Sequence, residues 1–263
     1  MNKTFLLGVG AQKAGTTWLH RTVSSLDRVN FGAKKEYHIW DAVSSDMFKE
    51  FRVTDAMVRD GVENAAIRYR MQNVPGYYSS YFNELFSGDC ILSGDITPSY
   101  AALSIEDWIR IRHELSFINA RLRIVFLMRD PFERCWSAVR MSKKDVKKQI
   151  ISDELLLLKM YSSLQFVART RYDVTVTNLR AVFTEDELYF GIYETINENR
   201  ELKRLSNFLG VDLQQSTNNQ DYNVSPKKEI VSIATANKVR NFYREVYNFC
   251  QNEFPDCRAS WSC

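Results

Sequence analysis

Hydrophobic positions along this chain fall into two alternating patterns. Short runs with little polar interruption, Thr4–Val9 (TFLLGV), Asp89–Asp95 (DCILSGD), Arg123–Met128 (RIVFLM) and Leu188–Tyr193 (LYFGIY), read as strands buried on both faces. Between them, apolar residues at helical spacing predict helices over Thr16–Leu26, Tyr77–Phe86, Ser104–Ala120, Ser152–Arg171, Tyr172–Phe183 and Glu198–Leu209. A last long helix is expected from Glu229 to Phe254, and the polar, helical stretch Asp46–Met71 has the character of an insertion over one edge of a sheet. Asp130-Pro131-Phe132-Glu133 marks a helix start, with an N-cap acid, proline at the first helical position and a capping-box glutamate. Strand–helix alternation over the whole length predicts the α/β class, a parallel β-sheet flanked by helices on both faces. No repeat, low-complexity tract or Pro/Gly/Ser linker divides the chain, so residues 1–263 are expected to form a single domain.

The first strand runs directly into GVGAQKAGTTWL, residues 8–19. A strand, the loop Gly10-Ala11-Gln12-Lys13-Ala14-Gly15 and a helix opening at Thr16-Thr17 gather unpaired N–H groups and the positive end of a helix dipole at one spot. Such a spot attracts phosphate, which makes the sheet P-loop-like. The nucleoside-triphosphate pattern G-x-x-x-x-G-K-S/T needs lysine where this chain has Thr16. Lys13 stands three residues earlier, where its ammonium reaches the end of a 5′-phosphate group instead of lying under a β/γ pair. The competing reading is that Gly10 and Gly15 only turn the chain from strand to helix. A second anion pocket is suggested by Arg129, at the carboxyl end of the strand Arg123–Met128, where parallel sheets bind ligands. Ser137 lies about two turns into the following helix, and a guanidinium with a hydroxyl suits a separate phosphate. Alternatively, Arg129 and Asp130 form a structural cap pair and Ser137 lies on a helix surface.

As a pair, GAQKAGTTWL and IVFLMRDPFERCWSAV resemble the 5′-phosphosulfate loop and the 3′-phosphate segment of PAPS-dependent sulfotransferases. Lys35-Glu36-Tyr37-His38-Ile39-Trp40-Asp41 is similar to the K-E-x-H-F-F-D stretch of the heparan-sulfate-type branch, and Gly94-Asp95-Ile96-Thr97-Pro98-Ser99-Tyr100 to its E-K-T-P-x-Y stretch. This places the chain closest to the heparan-sulfate-type and bacterial carbohydrate sulfotransferases. The resemblance runs from about residue 4 to 142, then weakly through Tyr193-Glu194 and Asn223–Lys228. It implies in-line transfer of a sulfuryl group from PAPS to a hydroxyl on a carbohydrate or small metabolite, with adenosine 3′,5′-bisphosphate (PAP) as product and no metal. PAPS carries two separated anions, which accounts for two pockets and for the position of Lys13.

The implied nucleotide contacts are Gly10, Gln12, Lys13, Ala14, Gly15, Thr16, Thr17, Arg129, Ser137, Tyr193, Lys227 and Lys228, with Trp18 either stacked on adenine or filling the core. Lys13 is the candidate for stabilising charge on the leaving phosphate. Glu36 matches the family's catalytic glutamate, while His38, on the same side of an extended segment, is either its partner or the base itself. Lys35, Asp41, Thr97, Pro98 and Tyr100 are the implied acceptor contacts. Ile96 replaces the lysine of the E-K-T-P stretch, so the acceptor of the heparan-sulfate enzymes is not carried over. Asn223–Lys228 lacks the family's K-G pair, and Lys227 and Lys228 either supply that charge or flank the last helix.

Composition narrows the alternatives. With 263 residues and 45% hydrophobic content the chain can bury a large core, and a net charge of +3 gives no field that would imply a nucleic-acid partner. The basic run Arg140, Lys143, Lys144, Lys147 and Lys148 is expected to be a solvated helical face, the other reading being a guide for an anionic acceptor. No segment approaches the roughly 20 apolar residues of a membrane helix, and a cytoplasmic location is expected. Cys90, Cys135, Cys250, Cys257 and Cys263 fit reduced thiols, with a Cys250–Cys257 bridge as the alternative. His20, His38 and His113 lack metal-ligand spacing. Two rival functions remain: a P-loop phosphotransferase, which the absent Walker lysine opposes, and a non-catalytic nucleotide- or glycan-binding relic, which Lys13 and Glu36 oppose.

Overall fold

The computed structural model describes residues 3–145, 151–213 and 230–261. Four strands, β1 (Thr4–Gly10), β2 (Leu92–Ile96), β3 (Arg121–Met128) and β4 (Leu188–Ile192), form one sheet in the order β2-β1-β3-β4, and every pairing is parallel. Every residue of β1 and β2 is buried, as is the second half of β3. Alternate residues point to opposite faces, so both faces are covered and the uninterrupted apolar runs follow. Leu6 pairs with Gly94 on one side and Arg123 on the other, and Phe126 pairs with Phe190.

In chain order the helices are α1 (Thr16–Ser24), α2 (Trp40–Ser44), α3 (Asp55–Arg59), α4 (Ala65–Asn73), α5 (Tyr77–Leu85), α6 (Ile105–Leu115) and α7 (Pro131–Asp145). They continue with α8 (Asp153–Met160), α9 (Leu164–Ala168), α10 (Tyr172–Val182), α11 (Asn199–Leu209), α12 (Ile233–Phe242), α13 (Arg244–Glu253) and α14 (Pro255–Ser260). α7 starts at Pro131 as the sequence predicts: Asp130 Oδ1 accepts from the Glu133 N–H at 2.9 Å, a cap that its acid supplies. α6 carries a full capping box between Ser104 and Asp107.

Two expected long helices are broken. The helix predicted over Ser152–Arg171 becomes α8 and α9, because Ser163 turns extended (φ −68°, ψ 152°) and begins a new helix. The last helix is interrupted at Tyr243 (φ −95°, ψ 17°), whose hydroxyl donates to the Tyr161 carbonyl, and Pro255 opens a third piece. Apolar periodicity continues across both breaks, so only the tertiary contacts distinguish them. The Asp46–Met71 stretch is likewise several pieces: a 3-10 segment Asp46–Phe51, α3 and part of α4. Cys250 and Cys257 are buried free thiols, so the alternative bridge is not formed. No helix among the described residues is long and apolar enough to cross a membrane.

Candidate active site

All four strands run the same way, so their carboxyl ends lie along one edge, and the segments that follow them meet there. β1 delivers Gly10 (φ +144°), where a Cβ would stand 2.9 Å from the Pro98 carbonyl oxygen. The Ala11 N–H donates to the Leu127 carbonyl of β3 at 2.6 Å, tying the loop to the centre of the sheet. Gly15 (φ +92°) caps α1 with no side chain of its own, and a Cβ there would stand 2.9 Å from the Tyr193 ring. Glycine is therefore required twice: for left-handed backbone and for close approach of β4's end to the helix N-terminus. The loop carries no acidic residue and α1 has none in its first turn, so the helix end is left positive.

β3 delivers Arg129. Its Nη1 donates to the Lys13 carbonyl at 3.2 Å, its Nη2 lies 3.3 Å from Glu133, and its guanidinium stacks over Tyr193 with Cζ 4.6 Å from the ring centroid. The buried Arg129 Nε has no hydrogen-bond partner. These contacts fix the arginine to the glycine loop and to the end of β4. Ser137 reaches the same cavity from α7, two turns after the helix start, as the spacing implies.

The second half of the site is the segment between α1 and α2. His38 takes a left-handed backbone (φ 55°), held by Gln72 of α4, which donates to its carbonyl at 2.8 Å, while Arg68 Nε donates to the Tyr37 carbonyl at 2.6 Å. From the other side, Thr97 Oγ1 accepts the Tyr37 N–H at 3.0 Å and donates to Asp95 at 2.6 Å. The Tyr100 hydroxyl accepts the Ile39 N–H at 3.1 Å and donates to Asp95 at 2.7 Å. So clamped, the segment presents a chain of alternating charge. Lys35 bridges Thr16 Oγ1, at 3.4 Å, and Glu36; Glu36 Oε2 lies 3.4 Å from His38 Nε2; His38 Nδ1 bonds Asp41 Oδ2 at 2.6 Å; and Ser99 donates to the same Asp41 oxygen. The imidazole stacks flat on Phe51, with centroids 3.6 Å apart.

Burial pulls the pKa of His38 down, but the hydrogen bonds to Asp41 and Glu36 outweigh it and the net shift is upward. For Glu36, burial pushes up while His38 and Lys35 pull down, and the carboxyl ends at about 2. Behind them, burial raises Asp95 to about 6 despite its hydrogen bonds to Thr97 and Tyr100. The site therefore holds a carboxylate at Glu36 and an imidazole biased towards its charged form.

Both halves open on one cavity of about 320 Å³. Of the residues singled out from sequence, Gln12, Lys13, Gly15, Thr16, Thr17, Trp18, Glu36, His38, Pro98, Arg129, Ser137 and Tyr193 line it. Gly10, Ala14, Lys35, Asp41, Thr97 and Tyr100 do not: Gly10 and Ala14 lie in the buried turn, and Asp41, Thr97 and Tyr100 brace the 36–41 segment from behind. Lys227, Lys228, Lys147 and Lys148 lie outside the described residues. Sequence reasoning missed Phe51, Ser99, Met141, Arg169, Ile196 and Asn197, which also line the cavity. Ser99 carried a signal, being inside the TPSY stretch, whereas Phe51 and Arg169 sit in segments with no motif. Among the described residues no group of three or more His, Cys, Asp or Glu side chains could hold a metal ion.

No protein-family model and no curated protein matches the sequence. The structure is similar to a sulfotransferase from Alicyclobacillus acidocaldarius, with a TM-score of 0.61 at 15% identity over 94% of each chain. It is also similar to a mouse sulfotransferase complexed with PAP, with a TM-score of 0.52 at 12% identity over 98% of this chain and 87% of the other. At such identities the likeness is one of architecture, and it agrees with the parallel sheet and the glycine loop: the chain has the α/β fold of the sulfotransferases.

Proposed function

We propose that this protein is a PAPS-dependent sulfotransferase acting in the cytoplasm on a hydroxyl of a carbohydrate or small metabolite, without a metal ion. The observation that carries the reading is that the Lys13 loop with Arg129 and the pair Glu36–His38, backed by Asp41, face one cavity. The donor set fits a nucleotide with two separated anions: Arg129 has a buried Nε without a partner, and the helix N-terminus at Thr16 has no acid to occupy it. When bound, PAPS supplies a sulfuryl group whose departure leaves negative charge on the 5′-phosphate.

Lys13 and the hydroxyls of Thr16 and Thr17 stabilise that charge, while Arg129 and Ser137 hold the 3′-phosphate and Trp18 and Tyr193 bound the nucleotide. On the opposite side Glu36 accepts the acceptor's proton. His38, whose pKa Asp41 and Glu36 raise, holds the Glu36 carboxylate in place. One observation favours a second assignment, in which His38 Nε2 is the base: the 2.6 Å bond from His38 Nδ1 to a fully buried Asp41 is an orienting contact of the kind that a histidine base uses. Lys227 and Lys228 are assigned to the nucleotide on sequence resemblance alone, and Pro98, which lines the cavity, to the acceptor side; Asp41, Thr97 and Tyr100 serve it from behind, by bracing the 36–41 segment.

The test is incubation with PAPS and pooled hydroxyl acceptors, reading released PAP and sulfated product together by mass spectrometry. Equimolar PAP and a sulfated acceptor are expected without magnesium. Stabilisation by ATP and magnesium but not by PAP would assign the protein to phosphoryl transfer. Tight PAP binding with no sulfated product from any acceptor would leave a binding protein.

A further inference from the structure

One basic side chain in the cavity has no role in the nucleotide half of the site. Arg169 caps the C-terminus of α9 and lines the cavity beside Glu36, His38 and Phe51. Its guanidinium lies over the buried Phe48 ring, with Cζ 5.0 Å from the centroid, and its buried Nε has no hydrogen-bond partner. Among the described residues Arg169 forms no ion pair, whereas Arg171, two positions on, is held by Asp173 at 2.7 Å and Arg129 by Glu133 at 3.3 Å. Burial and the fully buried Arg134 weigh against the charge on Arg169, and Glu50, Asp41 and Glu36 favour it. These neighbours also locate it. The negative charges it feels belong to residues 36–50, while Arg129 is engaged by Lys13 and Glu133.

A half-buried guanidinium against an aromatic ring, with a donor turned away from water and no carboxylate in contact, suits a planar or tetrahedral oxyanion. We propose that Arg169 binds an anionic group, a carboxylate, sulfate or phosphate ester, carried by the hydroxyl acceptor. The proposal rests on the sulfotransferase reading and narrows its substrate to anionic hydroxyl compounds. Phe51 stacks on His38 and lines the same cavity as Arg169, so the hydroxyl and the anion of one acceptor would be read by different side chains of that cavity.

The experiment uses matched pairs that differ in one charge: methyl glucoside with methyl glucuronide, glycerol with glycerate, and N-acetylglucosamine with its 6-sulfate. PAP is first titrated into wild type, Arg169→Gln and Arg169→Lys by calorimetry, and each probe is then titrated into the PAP complex. PAP is expected to bind all three proteins alike. In wild type the anionic member of at least one pair is expected to bind about 10-fold tighter than its neutral twin, the loss of one charged hydrogen-bond set. That preference should vanish in Arg169→Gln and return in part in Arg169→Lys, which keeps the charge without the fork. Equal binding within every pair, no binding of any anionic probe, or a preference that survives Arg169→Gln overturns the proposal. Weaker PAP binding in Arg169→Gln also overturns it, by assigning the residue to the nucleotide. Failure of wild type to bind PAP is a different result, since it removes the sulfotransferase reading itself. Arg169→Lys keeps the test alive if the glutamine variant does not fold.

Discussion

Replacing Asp41 with asparagine separates the two assignments of the base. Asp41 is fully buried; its Oδ2 bonds His38 Nδ1 at 2.6 Å and the Ser99 hydroxyl, while its Oδ1 is buried without a partner. The asparagine NH2 can take the Oδ1 position without meeting a donor, so the geometry survives and only the charge is lost. A hydrogen bond to a charged group contributes about 1.5 to 3 kcal/mol, and one pKa unit corresponds to about 1.4 kcal/mol. The His38 pKa should therefore fall, because the Asp41 charge that holds it up is removed. Glu36, held at about 2 partly by His38, should rise, though less, because Lys35 remains beside it.

The sign for stability follows from the upward shift of His38 in the fold. That contribution is full below the unfolded pKa of about 6.5 and is lost as pH rises through the folded value, so Asp41→Asn should destabilise more at pH 5 than at pH 9. With only three histidines in the chain, the imidazole signals can be followed individually by NMR through a pH titration of wild type and variant. A His38 pKa that does not move on this substitution refutes the electrostatic chain. Turnover then decides the base: a Glu36 base predicts a change of less than about 10-fold, and a His38 base a loss on the order of 10² or more.

Other substitutions test other parts of the site. Lys13→Ala should lower turnover by on the order of 10² to 10³ with only a modest loss of PAP affinity, and Glu36→Gln should lower it by roughly 10² to 10⁴ with PAP affinity intact; single-turnover kinetics and calorimetry separate the two effects. Arg129→Ala removes the contacts to Lys13 and Glu133 and should weaken PAP binding by about 1.5 to 3 kcal/mol, with unchanged affinity excluding Arg129 from the nucleotide pocket. Asp95, raised from 3.8 to about 6 by burial, contributes stability that is present below its unfolded pKa and lost as pH rises through the folded value. The stability of wild type relative to Asp95→Asn should accordingly drop by about 2 kcal/mol between pH 4 and pH 7, and a difference in urea-unfolding energies that does not depend on pH would contradict it.

The half of the cavity built on the glycine loop was legible because its parts are contiguous. The glycine loop, the helix start and Lys13 lie within a few residues, and Arg129, just before α7, and Ser137, within it, reach the same cavity from one short stretch. Continuous apolar runs likewise located the strands, since a buried parallel strand allows little else. Helix breaks at Ser163 and Tyr243 were not legible, because a buried tyrosine hydroxyl finding the Tyr161 carbonyl is a tertiary event that leaves no local trace.

The Glu36–His38 half shows a sharper limit. Glu36, His38 and Asp41 share a short stretch, so the resemblance found them together, but it assigned Asp41, Thr97 and Tyr100 to the acceptor when the structure places them behind the segment. Identity and position could not tell a wall residue from a brace; only burial could, with Asp41, Thr97 and Tyr100 all at 0% exposure. Arg169 and Phe51 come from chain segments far from any motif and acquire meaning only where α9 and the 46–51 turn converge on the Glu36–His38 wall. A nucleotide is shared by many enzymes and can be met by a local, contiguous solution, whereas an acceptor is met by side chains gathered from separate loops over a fixed sheet. The Arg169 and Asp41 substitutions test that part, where single-sequence reasoning has least to hold.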